Sequence, residues 1–176
     1  METTTVKNTN PGFTYGLIGG LIFVIITLTQ YLIGVKGYIS PVGYFSYCVP
    51  IILSVLAALK KRNMQGYLGY GEALKIVFTV FAITLLLQSI FVYILFNFVD
   101  ISFAEALKQE IMDKTETMMK RFGASDTTVD DTLKKMANEN QFSIAKILLS
   151  YCISCIITFL ISLIIAATVF KRKPVF

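Results

Sequence analysis

Charge is missing from this chain in four long blocks, and that absence constrains the fold more than any motif does. Residues 8–35, 37–59, 76–99 and 147–170 contain no Asp, Glu, Lys or Arg. The 16 Lys and Arg and 11 Asp and Glu of the 176 residues crowd into the gaps between them. A helix crossing a hydrocarbon core needs about 20 residues at 1.5 Å each, and the last three blocks hold 23, 24 and 24. The pattern predicts an all-α membrane protein with four transmembrane helices, at about residues 12–33, 42–59, 73–98 and 143–170, in a single domain. The first block is longer than the ~7–15 apolar residues of a signal peptide, and no small-x-small cleavage site follows it. It is read as a span. No lipid-attachment motif stands at either terminus.

The spans carry small residues at helical spacing. Gly12, Gly16 and Gly20 are spaced by four in span one, a repeated G-x-x-x-G on nearly one face. Ser150, Ser154, Thr158, Ser162 and Ala166 repeat every four residues in span four. Such seams let another backbone approach and gain dispersion contacts. The neighbour is either another span of the same copy or a second protein. Pro50, inside span two, is expected to kink it by removing one backbone bond.

Span three is the polar one. Thr84 lies four residues before Gln88, and Tyr93 four before Asn97. An amide at mid-membrane must find a partner. Gln88 is therefore expected to bond to a neighbouring helix or, alternatively, to line a polar path with Asn97.

A basic connector, with Lys60, Lys61, Arg62, three glycines and then Glu72 and Lys75, joins spans two and three. Between spans three and four, Ser102-Phe-Ala-Glu105 has capping-box spacing. Phe103, Leu107, Ile111, Met118 and Phe122 follow at steps of three to four with one turn skipped, which predicts an amphipathic helix. Gly123–Asp126 is a turn. A second, shorter helix begins near Thr128, with Val129, Leu133, Met136 and Asn140 on one face. Residues 102–141 are thus expected to form an amphipathic helical hairpin.

Four spans put both termini and the connector on one side. Eight basic residues fall on each side, so a bare Lys/Arg count ties. On the terminus side they cluster against span ends, which favours the cytoplasm for that side and the outside for the hairpin.

The chain has no histidine, which excludes His-based catalysis and His metal ligation. No charged residue lies within a span interior, where proton relays and ion sites normally need one. There is no Walker-type or dinucleotide-binding motif. The pI near 9.1 reflects bases flanking spans rather than nucleic-acid binding. Cys152-Ile-Ser-Cys155, with Cys48, is read as small buried hydrophobes. The methionines of the hairpin are read as a pliable packing or partner surface.

The order of pieces resembles a family of small four-span bacterial membrane proteins, mostly from the Bacteroidetes, known as domain-of-unknown-function family 4199. The matching pieces are Gly12-Phe-Thr-Tyr-Gly16, Gly69-Tyr-Gly-Glu-Ala-Leu-Lys75, Val99-Asp100, and Ser162-Leu-Ile-Ile-Ala166 before Lys171-Arg-Lys173. Ile101 stands where that family often carries Pro. The resemblance implies an inner-membrane protein and supplies no activity, cofactor or catalytic residue. The expected role is non-enzymatic: an accessory protein in the lipid bilayer that packs with itself or with another membrane protein, with no cofactor, metal or nucleic-acid partner. The alternative is a small transporter or channel subunit.

Overall fold

The computed structural model describes residues 10–40 and 45–172. The described chain is helical: α1 Pro11–Ile33, α2 Val35–Tyr38, α3 Cys48–Gln65, α4 Tyr70–Ile94, α5 Ile101–Arg121, α6 Asp126–Asn138 and α7 Ile144–Val169. A π-helical turn, Leu95–Val99, extends α4. The start of the expected second span (residues 42–44), the N-terminal tail and Lys173 lie outside the described residues.

Three helical stretches are long and apolar enough to cross a membrane: Pro11–Ile33, Tyr70–Val99 and Ile144–Val169. α3 is not one of them, because its last turns carry Lys60, Lys61 and Arg62. Those three bases therefore belong to a helix, and the connector shrinks to residues 66–69. Gly66 closes α3 at φ 75°, its N–H bonded to Arg62 O, a left-handed conformation that glycine adopts without a Cβ penalty.

α4 is the centre. Glycines let α1 lie against it: a Cβ on Gly12 would sit 2.9 Å from Ile76 O, and one on Gly16 2.8 Å from Ile83 Cβ. A Cβ on Gly20 would run into Leu87. In lipid no hydrophobic force presses helices together, so close backbone approach supplies the attraction. α7 packs on another side of α4, with Phe78 and Phe159 edge to face at 5.6 Å. α3 completes the inner core, where Ala57, Ala58, Ala73, Val77, Val80 and Ala166 have no exposed surface.

The end of the bundle that holds Lys61 and Glu72 is stitched by polar groups. Lys61 and Glu72 pair at 3.8 Å. Arg62 donates to Val169 O at 3.3 Å, and Leu68 and Lys171 exchange backbone bonds. The opposite end is cemented by aromatic rings. Phe96 meets Phe142 at 4.7 Å and Phe103 at 5.9 Å, and Tyr31 meets Phe103 at 4.7 Å. α5 sits over that end, burying Ala104 and Leu107.

Three local expectations change. Pro50 lies in the first turn of α3, where its missing N–H interrupts little of the ladder, so it starts the helix rather than kinking it. Asp100, not Ser102, caps α5: its carboxylate accepts from Phe103 N at 2.9 Å and from the Ser102 hydroxyl at 2.6 Å. A carboxylate one residue before the helix outcompetes a hydroxyl already inside it. Ile101 takes the first helical position, which Pro also favours. On α5, Phe103, Leu107 and Ile111 face the bundle, but Met118 and Phe122 are exposed, because the helix runs on past the bundle end.

Candidate functional site

Height along the bundle decides where space is left. Tyr47, just before α3, stacks edge to face on Phe23 at 5.5 Å, and Phe23 lies midway along α1. α3 runs from there to the Lys61–Glu72 end. Beyond Phe23, the corner that a full-length fourth helix would fill is lined instead by Ser46 and Tyr47 from the approach to α3, and by Tyr38, Ile39 and Ser40 from α2 onward. Leu107 and Ile111 of α5 lie over it. The result is a cavity of about 290 Å³ that also touches Phe23, Thr27, Gln30 and Gln88.

A second space of about 270 Å³ opens between the second half of α4 and the first half of α7. It shares Phe23, Tyr47 and Gln88 with the first and adds Ser89, Val92, Ser150 and Ser154. Gln88 thus lies between two cavities.

The bonding of Gln88 follows from one proton. The Thr27 hydroxyl donates to Phe23 O at 3.0 Å. It has no second proton, so toward Gln88 it can only accept. The amide nitrogen of Gln88 accordingly faces it at 2.7 Å. That leaves Gln88 Oε1 buried with no hydrogen-bond partner, a state that costs about 1–3 kcal/mol. Gln30, Tyr38 and Ser46 on the cavity wall make no side-chain hydrogen bond to the other described residues. Burial, and to a smaller degree the Tyr47 phenol, pushes Tyr38 up to about 12, so it stays a neutral donor.

The other residues singled out from sequence are placed as follows. Gly12, Gly16 and Gly20 face α4 of the same copy. Thr84 bonds to Gly16 O at 3.2 Å, which seals the interior below Gln88. Thr158, Ser162 and Ala166 are buried against the inner core, and Thr158 and Ser162 bond back into their own helix at 2.8 and 2.7 Å. Ser154 is partly buried and Ser150 exposed. Asn97 is not on the cavity with Gln88: its amide nitrogen donates to Tyr93 O at 3.0 Å and to Phe142 O at 2.8 Å, tying the π turn to the approach to α7. Cys48 and Cys152 are exposed and Cys155 partly so, all three as free thiols. Among the described residues no group of three or more His, Cys, Asp or Glu could hold a metal.

Sequence reasoning missed Thr27, Gln30, Tyr38, Ser46 and Tyr47 as wall residues. A signal existed on α1: the stripe Gly12, Gly16, Gly20 continues through Phe23, Thr27 and Gln30 at steps of three to four, so small residues give way to an aromatic and then to polar groups on one face. It also missed the bond from Tyr31 O–H to Asp100 Oδ2 at 2.8 Å. Three donors, the Ser102 hydroxyl first, then the Phe103 amide and the Tyr31 phenol, hold Asp100 below the usual carboxylate range.

These features define a helical protein of membrane character, with a closed core at one end and polar cavities toward the other. The chain belongs to the family described as "Protein of unknown function (DUF4199)", whose model matches residues 14–172. No match is found among curated proteins or among solved structures.

Proposed function

We propose that this is a four-span, non-enzymatic accessory protein of a bacterial inner membrane that works by contact with a membrane partner, either a second copy or another protein. In this reading α3 and its approach form the fourth crossing. Irregular backbone is tolerated at membrane depth where it lines a cavity, and Lys60 and Arg62 reach the interface by snorkelling. Both termini and the Lys61–Glu72 end face the cytoplasm, and α5 and α6 form the outer hairpin. A reporter fused after Phe176 is then active only on the cytoplasmic face; activity confined to the outer face overturns this orientation.

The observation that carries the contact reading is the stance of α7. Only 22% of its most apolar window is buried, against 28% for α1 and 33% for the α4 stretch. In the first half of α7 Tyr151 reaches α4, donating to Ala82 O at 3.3 Å, and Ser150 and Ser154 beside it line a cleft open to small-residue packing. The glycine seam of α1, by contrast, is already occupied within the copy. A photo-reactive residue at position 150 is expected to capture protein in intact membranes, while one at Leu28, on the exposed side of α1, captures lipid. Lipid adducts alone from both positions sink the reading.

A transport role is the second reading, favoured by the unpartnered Gln88 oxygen. It predicts solute flux in liposomes that Gln88→Leu abolishes. Against it stands the closed core below Thr84.

A further inference from the structure

We infer that the cavity beside Gln88 is a binding site for a neutral, hydroxyl-bearing organic molecule with an apolar body. This goes beyond the contact reading and does not depend on it.

Four observations converge. The volume, about 290 Å³, lies at the lower end of ligand pockets, which run from about 300 to 1,000 Å³. The wall is chemically two-sided: Phe23, Leu107 and Ile111 supply an apolar face, and Gln30, Tyr38 and Gln88 a polar one. No lining residue is charged, and Tyr38 is held neutral. Lys114, on α5, is bonded to Ile39 O at 3.2 Å rather than lining the cavity. A charged ligand would therefore lose its hydration without gaining a counter-charge. Finally, Gln88 Oε1 is an acceptor left without a donor, while the nitrogen of the same amide donates to Thr27. A hydroxyl entering the cavity meets it after a small rotation of the terminal amide torsion, which is a soft one.

The origin of the space supports a site rather than a packing fault. α3 is preceded by a 3-10 turn at residues 45–47, and the cavity is closed on that side by this turn and by Ile39 and Ser40, which lie outside any helix. Broken or unwound segments at membrane depth are where membrane proteins hold substrates. α5 covers one side of the cavity: Leu107 is 1% exposed, and the helix is anchored at its first turn by Asp100.

The test uses the full-length protein in phosphatidylcholine nanodiscs and fluorine NMR of 4-fluorobenzyl alcohol, with empty nanodiscs subtracted. Its methyl ether lacks the donor, and 4-fluorobenzoate and 4-fluorobenzylammonium carry charge. The alcohol is expected to bind saturably at one site per chain, and the ether and both ions at least about tenfold more weakly. Gln88→Met keeps the shape and removes the acceptor, and is expected to bring alcohol and ether within about twofold of each other. Ile111→Trp fills the cavity from α5 and is expected to abolish saturable binding. Equal affinity of alcohol and ether for the parent protein overturns the inference. So does binding no greater than that of empty nanodiscs, which means the cavity holds water alone, or binding that survives Ile111→Trp, which places the site elsewhere.

Discussion

The two ends of this bundle are built on opposite principles. At the end bearing Lys61 and Glu72, glycine and alanine bring backbones into contact, and charges seal the rim. At the end bearing Phe96 and Asp100, large rings fill the centre, the amphipathic helix α5 lies on top, and cavities remain between. Small residues pack the helices closely at the first end, and the space that is left there, about 300 Å³, lies at the charged rim around Lys61, Glu72 and Lys75. Rings and a truncated α3 produce a unit with room. The two cavities that Gln88 touches lie toward the aromatic end.

The strongest way to break that comparison is to overpack the glycine end. Gly16→Leu must displace Ile83, whose Cβ already lies 2.8 Å from where the new Cβ would stand. Loss of about 3 kcal/mol or more is expected, seen as a collapse of folded yield in detergent. Gly69→Ala is the control, since nothing lies within 4 Å of its Cβ position, and it should melt like the parent. If both variants behave alike, close approach is not what holds this end.

The aromatic end should respond to its clasp. Asp100→Ala removes the cap of α5 and the acceptor of Tyr31, and is expected to lower Tm by about 2–4 °C. Acid should act on the same group. Its carboxylate titrates below the ordinary 3.8 in the folded state, so the unfolded chain binds the proton first. The stabilisation is present above the unfolded value and is lost as pH falls through the lowered folded one. Glu139, lowered chiefly by the hydrogen bond from Lys146 at 2.5 Å, has the same sign. Hydrogen exchange at the Phe103 amide should therefore accelerate below about pH 4 while amides around Val77 stay protected. Equal loss of protection at both would merge the two ends into one cooperative unit.

How much of this was legible beforehand follows the same division. The glycine end could be read because its determinants are local: G-x-x-x-G spacing and a run of basic residues. α5, α6 and the turn between them were also readable, from the steps of Phe103, Leu107 and Ile111. What could not be read depends on contacts distant in sequence. That α3 begins only at Cys48 is invisible in a block of 23 uncharged residues. Asn97 bonds to Phe142 O, 45 positions away, rather than sharing a wall with Gln88. Asp100 rather than Ser102 is the cap, and the Tyr31 hydroxyl, 69 positions away, donates to its other carboxylate oxygen.

α6 gives a finer cut. Val129 is its one buried residue among those described, 1% exposed. Val129→Ala should cost about 1–2 kcal/mol. Because α6 touches little besides α5, the loss should be confined to local opening. Limited proteolysis should nick residues 122–140 in the variant, leaving the Tm of the bundle within a degree or so of the parent. A matching drop in global Tm would mean that the cap and bundle unfold together.

The smallest effect is expected where the end of α3 meets the start of α4, at Lys61 and Glu72. Lys61 and Glu72 sit 3.8 Å apart, with side chains 19% and 39% exposed. Gln65 joins them when its amide is turned to accept from Lys61 at 3.2 Å and donate to Glu72 at 3.3 Å. Three polar groups at a wet rim share one another and water, so removing one charge leaves the others solvated. Glu72→Gln should change stability by less than about 1 kcal/mol, and less again in high salt. A larger, salt-insensitive loss would mean that the rim is drier than its exposure indicates. The tightness of that end would then rest on charge as well as on glycine.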